Sequence, residues 1–425
     1  MQPPRDAIQA TSSVSRAGRA LDALAFLLSD VRYGLGAYLG VYLMTEHGWD
    51  PASIGFALSF GGIVGLVMRG PLCFMVDRIR AKRVLLAVAV VIVTATCLAI
   101  PLAPRFWPVA AIGVVGALAG VTIGPALASI SLGIVGPAGF ARRACRNESL
   151  FHFGNGCVNV AILLLAPLFG TPVLFWAMGS TAVGSVAAAL AVPEDAIDHG
   201  VARGLLPGDT RAPSVMQALG IIAGSRPLMV FALCGALFNL GNASMLGLMA
   251  QRLALANPGM GIALTAASAI TAQCVMAPAA AMAGWKTDAW GRKPLLLVGF
   301  FALVLRGVLY TVVHDASWTV AVQLLDGLAA GLMGALFPVV IADLTRGAGC
   351  FNSAQGAVGM LQDVGGVCSG MLAGWIVVTT GYDAAFLTLA AIGALGGALF
   401  WLAMPESGPS RAGNPRTVVG IGVAS

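Results

Sequence analysis

The stretch VLLAVAVVIVTATCLAIPLA, residues 84–103, holds no Asp, Glu, Lys or Arg, and its reading decides the fold class. At a rise of about 1.5 Å per residue it makes a helix of about 30 Å, the thickness of a bilayer's hydrocarbon core. Working outward, comparable apolar runs fall at 21–43, 53–76, 107–130, 148–170, 172–192, 228–250, 261–283, 295–313, 318–341, 351–379 and 383–404. Of 425 residues, 58% are hydrophobic and 10% charged, a balance that in water would leave large apolar patches exposed. In lipid only helices and closed barrels satisfy every backbone N–H and C=O, and runs of this length select helices. The expected fold is an all-α integral membrane protein of about twelve transmembrane helices.

Charge gives the orientation. The tail 1–20 and the loops near 69–83, 136–147, 193–227, 284–294, 344–350 and 405–425 hold 20 of the 24 Lys and Arg; the opposite loops hold Arg105 and Arg252, and Arg32 and Arg306 fall inside spans. By the positive-inside rule both termini are cytoplasmic. The polar, basic start and the long first run, with no small-residue cleavage site behind it, predict a retained first helix. The net charge of +6 is spread over membrane-flanking loops rather than one patch, so nucleic acid is not an expected partner. The eight cysteines are dispersed with no CxxC pair and read as small core residues, so neither a disulfide framework, a metal site nor a cofactor is expected.

The longest polar stretch between spans divides the chain into a tail 1–20, a six-helix half 21–192, a cytoplasmic loop 193–227, a second half 228–404 and a tail 405–425. The halves echo each other. Arg32-Tyr33-Gly34 through Leu39-Gly40 lines up with Asn239-Leu240-Gly241 through Leu246-Gly247, and Gly116 and Gly120 line up with Gly327 and Gly331 at a shift of 211. The loops after the second and eighth spans match too: Asp77-Arg78-Ile79-Arg80-Ala81-Lys82-Arg83, and Gly284-Trp285-Lys286-Thr287-Asp288-Ala289-Trp290-Gly291-Arg292-Lys293. A carboxylate in such a loop can meet the N-terminus of a neighbouring helix while Arg and Lys face lipid phosphates or a carboxylate in the other half. Equally, Arg78, Arg80, Lys82 and Arg83 read as ordinary positive-inside charges.

These loops make the sequence resemble the major facilitator superfamily, whose cytoplasmic signature reads roughly G-x-x-x-D-x-x-G-R-K. The second loop matches at Gly284, Asp288, Gly291, Arg292 and Lys293; the first keeps Asp77, Lys82 and Arg83 but has Cys73 and Arg80 where glycines stand in the signature. The resemblance covers about 21–404. It implies a secondary transporter that works by alternating access, a gating role for Asp77, Arg78, Gly284, Asp288, Gly291, Arg292 and Lys293, and a cavity lined by helices one, four, five, seven, eight, ten and eleven. Many proton-coupled drug exporters of the family carry an Arg in helix four before such glycines; here Val115 stands before Gly116 and Gly120. Gly120-Val121-Thr122-Ile123-Gly124-Pro125 resembles an antiporter signature but falls in the fourth span rather than the fifth.

A charge at mid-membrane costs about 2.5–3.5 kcal/mol on insertion scales, so each needs a partner, a cavity or a purpose. Asp30 lies about 14 Å into the first span, near the midplane, and shares its side with Tyr33. Arg32 points to another side, with pairing to a neighbouring acid and solute binding both open. Glu148, His152, Asn155 and Asn159 follow steps of four, three and four, which puts them on one face of the fifth span. The eleventh span carries Asn352, Gln355, Gln362 and Asp363, and the seventh Asn239 and Asn242. His152, Asn155 and Asn159 are expected to face Asn239, Asn242 and Gln362 across a central cavity, with Asp30, Arg32, Tyr33 and Asp363 in its wall and Asp30 or Asp326 as the proton-coupling group. For Arg306 the sequence offers snorkelling or a local acid partner.

The leading function is secondary active transport of a small polar organic solute, coupled to protons or another ion, by a monomer in a bacterial inner membrane. The alternatives are a transporter-like membrane sensor and a membrane-embedded enzyme. The absence of a GxxxxGK[ST], HExxH or GxSxG opposes an ATP-driven pump and the common hydrolytic sites.

Overall fold

A computed structural model describes residues 5–32, 36–206, 209, 213–256 and 261–408. The helices are α1 (Arg5–Val31), α2 (Gly36–His47), α3 (Pro51–Arg78), α4 (Lys82–Ala99), α5 (Phe106–Phe169), α6 (Pro172–Ala191), α7 (Val215–Gly224), α8 (Arg226–Asn242), α9 (Met245–Ala256), α10 (Gly261–Trp290), α11 (Arg292–Val312), α12 (Ala316–Leu344), α13 (Phe351–Thr380) and α14 (Tyr382–Ala403), with no strand among the described residues. Among the described residues ten segments are long and apolar enough to cross a membrane. The 64-residue α5 would be about 96 Å long if straight, and it is two crossings joined at Gly136. The seventh apolar run, α8 with α9, is already one of the ten; counting α5 as two and adding the first run, occupied by α1 and α2, completes about twelve crossings.

The expected loop at 136–147 is instead helix. Gly136 alone leaves helical geometry, at φ 68. It supplies the left-handed turn, and Pro137, which has no N–H to leave unpaired, starts the next helix. The basic residues that suggested a loop are accommodated by partners: Arg143 and Arg146 hold Asp22 of α1 at 2.7 and 2.6 Å. The central segment 193–227 is also more structured than a polar loop. Ser214 and Gln217 cap α7 reciprocally, and the stretch before it links both halves: Asp198 N–H donates to Gly133 O at 3.1 Å, and Gly347 N–H to Gly204 O at 2.6 Å.

Within each half the second and fourth crossings pack through glycine. A Cβ at Gly61 of α3 would lie 2.8 Å from the Gly113 carbonyl of α5, and one at Gly331 of α12 would lie 2.9 Å from the Met276 carbonyl of α10. Such close approach is how helices gain packing where lipid is as apolar as the side chains. Arg306, fully buried in the second half, resolves to a local acid partner: it pairs with Asp326, while its Nη2 donates to Asn242 O at 3.3 Å.

Candidate functional site

The two halves meet tightly at one end, the end that carries the α3–α4 and α10–α11 turns. A Cβ at Gly356 of α13 would sit 2.7 Å from Cys73 Cβ of α3, and one at Gly284 of α10 would sit 3.0 Å from Cys145 Cβ of α5. These contacts are symmetry mates: Gly284 stands 211 residues after Cys73, and Gly356 stands 211 after Cys145. Each joins one Cys to one Gly with the partners exchanged. The Cys73 departure from the loop signature is thus matched by a glycine across the interface, where two larger residues would overpack. Phe140 meets Phe351 edge-on at 5.6 Å at the same end.

Asp77 binds across this contact. Buried at 4% exposure, its carboxylate accepts from Asn352 N–H at 3.1 Å, Asn352 Nδ2 at 2.8 Å, Ser353 N–H at 2.8 Å and Ser353 Oγ at 2.6 Å. The backbone donors belong to the first turn of α13, whose N–H groups have no partner inside the helix and carry the positive end of its dipole. Arg69 adds an ion pair to Asp363 of α13. Beside the clasp, burial and the nearby Asp77 push the Cys350 thiol up to about 12. Arg78 does not cross the interface: its guanidinium lies 4.7 Å from the centre of the Phe74 ring.

The second loop is tied to its own half. Arg292 reaches Asp343 at 3.1 Å and the half-exposed Asp288 at 3.3 Å. Glu406 accepts from the N–H groups of Arg292 and Lys293 at 2.8 and 3.0 Å, capping α11, and Lys293 Nζ donates to Trp401 O at 2.6 Å. Gly291, at φ 89, makes the turn that allows this.

Away from the clasp a cavity of about 960 Å³ opens between the second part of α5 and α10. Its polar lining is His152, Asn155 and Asn159 from α5 and Gln273 from α10; its other walls include Phe153, Cys157, Val160, Ile270 and Cys274. The stripe foreseen on one helix face is continuous. Glu148 pairs with Arg32 at 3.3 Å and lies 3.5 Å from His152 Nε2, and His152 Nδ1 is 2.9 Å from Gln273 Oε1. Asn155 Nδ2 donates to Ser29 O at 3.3 Å, and Asn159 Nδ2 to Asn155 Oδ1 at 2.9 Å.

The other expected site residues lie elsewhere. Asn239, Asn242 and Gln362 are outside the cavity lining: Asn239 Nδ2 donates to Gln362 O at 3.1 Å, and Asn242 belongs to the surroundings of Arg306. Asp326 is taken by Arg306 and Asp363 by Arg69. Tyr33 lies outside the described residues. Asp30 is partly buried, and among the described residues it has no hydrogen-bond or ion-pair partner. Two residues were missed. Gln273 is a lone amide in an apolar run and forms no stripe of its own; Arg69 reads as a loop charge until α3 is seen to continue for about two and a half further turns. Among the described residues no group of three His, Cys, Asp or Glu is placed to hold a metal.

The model of the Major Facilitator Superfamily matches residues 21–272 and 228–420, covering both halves. The chain belongs to the major facilitator superfamily. Two relatives from Mycobacterium tuberculosis, strain CDC 1551 / Oshkosh and strain ATCC 25618 / H37Rv, each described as an MFS-type transporter, are 46% identical over 394 residues, 92% of this chain and 94% of the relative. Among solved structures, the proton:xylose symporter XylE bound to 6-bromo-6-deoxy-D-glucose superposes with a TM-score of 0.69 at 15% identity, covering 94% of this chain and 97% of that one. The human organic anion transporter MFSD10 (TETRAN) gives 0.62 at 15% identity, covering 94% and 100%. These likenesses carry the superfamily fold. Like its family, the chain is a multi-pass membrane transporter and not an enzyme.

Proposed function

We propose that the chain moves a small organic solute by alternating access, with His152, Asn155, Asn159 and Gln273 as the solute contacts and Asp30 as the proton-coupling group. One observation carries the reading: the halves are clasped at one end by Asp77 on the first turn of α13, and the cavity lies beyond that clasp. The clasped end is the cytoplasmic one, as the Lys and Arg distribution indicates. Of the two carboxylates considered for coupling, Asp326 is held by Arg306 in the core of the second half. Asp30 is partly accessible and next to Ser29, whose carbonyl binds Asn155 of the stripe. A carboxylate without a fixed counter-charge can load and release a proton in each cycle. The symmetry mate of Asp77, Asp288, acts in the same cycle through its Arg292 and Asp343 network.

The test is flux of a panel of labelled sugars, amino acids and organic anions into proteoliposomes, with and without an imposed pH gradient. Asp30→Asn should abolish the response to the gradient while solute exchange between the two sides persists. A wild-type gradient response in Asp30→Asn would remove Asp30 from the coupling.

A further inference from the structure

The cavity joins two surfaces that a transmembrane helix usually keeps apart. Along α5, Phe153, Val160, Leu164 and Leu168 recur on one side and are 59, 45, 65 and 75% exposed. The opposite side packs on α1: a Cβ at Gly154 would strike the Phe26 carbonyl, and the Phe151 ring lies 4.8 Å from the Arg32 guanidinium. Large apolar side chains exposed on the outer side of a membrane-spanning helix face lipid. Along α10, Ala266, Ile270, Cys274 and Pro278 stand four apart and are all exposed. The cavity is lined by Phe153 and Val160 of the first stripe, by Cys157 between them and by all four residues of the second, while its back wall is His152, Asn155, Asn159 and Gln273. It therefore runs from its polar wall to the exposed apolar stripes of α5 and α10.

Among the described residues its lining holds two Asn, one Gln and one His, and no Asp, Glu, Lys or Arg. The amides both donate and accept hydrogen bonds, and the imidazole adds a ring nitrogen beside them. They match an uncharged head carrying hydroxyl or amide groups, and the volume lies in the range that encloses a ligand of a few hundred daltons.

We propose that the solute is an amphiphile, with an uncharged hydroxyl- or amide-bearing head and an alkyl or acyl tail, that reaches the site from the bilayer through the seam between α5 and α10. The head lies against His152, Gln273, Asn155 and Asn159, and the tail leaves past Phe153, Val160 and Ile270 into lipid. This rests on the reading that the cavity is the solute site.

The experiment uses a 1-monoacylglycerol with a photoreactive diazirine in its tail, cross-linked to the full chain in proteoliposomes and mapped by peptide mass spectrometry. Cross-links should concentrate in 153–160 and 266–278. Excess unlabelled monododecanoylglycerol should reduce them about tenfold, whereas glycerol should not. Val160→Trp, which fills the mouth without touching the polar wall, should lose the competed cross-links while the protein stays monodisperse. Cross-links spread evenly over lipid-facing residues such as Leu168 and Trp401 and unaffected by competitor would overturn the proposal. So would glycerol competing as well as the long-chain compound, which would mean a polar solute arriving from water. The cross-links are read without a pH gradient, so they test the seam whether or not Asp30 couples transport to protons.

Discussion

The turn between α3 and α4 and the turn between α10 and α11 occupy equivalent places, yet the one that departs from the family signature is the one that ties the halves together. Asp77 reaches across to Asn352 and Ser353, while Asp288, 211 residues later, bonds within its own half to Arg292. The cause lies in the partner helices. Asn352 and Ser353 are in the first turn of α13, which begins at Phe351, so their N–H groups are free to be capped. The equivalent Ala141 and Arg142 lie several residues beyond the break at Gly136, inside a helix that already uses their N–H groups. What a conserved-looking carboxylate does is thus decided by where the facing helix begins.

The cores of the halves differ in the same instructive way. Arg306 and Asp326 form a buried ion pair in the second half; the same shift of 211 places Ala95 and Val115 at the matching sites of the first. Removing one member of such a pair strands a charge, whereas replacing both with apolar residues often does not destabilise. Arg306→Ala alone should therefore cost about 3–5 kcal/mol, seen as a large fall in the thermal midpoint in detergent. Arg306→Ala with Asp326→Val, the pair the first half uses, should recover most of it. Equal losses in the single and double variants would break the equivalence.

Next in size is the contrast between the two loop carboxylates. Asp77→Asn puts an amide N–H₂ where Ser353 needs an acceptor, and hydrogen bonds to a charged group contribute about 1.5–3 kcal/mol each. The clasp should open at least about tenfold more often, and the maleimide labelling rates of Cys73 and Cys145, both fully buried in the clasp, should rise accordingly. Asp288→Asn should change those rates by less than about threefold, as expected for a half-exposed pair worth under about 1 kcal/mol. It should slow flux modestly and leave solute affinity within a few fold. Equal effects at the two sites would mean that the loops act alike.

A smaller effect tests the Cys–Gly exchange. Gly356→Ala places a Cβ 2.7 Å from Cys73 Cβ and 3.1 Å from the Arg69 carbonyl, and overpacking of this kind costs about 1–3 kcal/mol. Transport should fall with it and be rescued by adding Cys73→Gly. No rescue would show that the Arg69 backbone, rather than the Cys73 side chain, sets the limit.

Apolar run length was enough to read the crossings, and the stripe at Glu148, His152, Asn155 and Asn159 was legible because 3.6-residue periodicity says which side chains share a helix face. Periodicity does not say which helix that face meets. His152 was expected opposite Asn239, Asn242 and Gln362, and it meets Gln273 instead. Gly136 was hidden for a related reason: one residue at positive φ reverses the chain, whereas the three arginines after it look like a loop until Asp22 is seen to hold two of them. Arg306 and Asp326 are each visible in sequence as costly intramembrane charges, but 20 residues apart on different helices nothing local pairs them.

The most direct test of the account follows the clasp itself. Spin labels at Arg80→Cys and Arg346→Cys, both exposed and on opposite halves at the clasped end, report its width by pulsed electron resonance in a cysteine-free background. The wild type should give a dominant short distance, and Asp77→Asn should transfer population to a longer one. An unchanged distribution in Asp77→Asn would contradict the claim that Asp77 on the first turn of α13 holds the two halves closed.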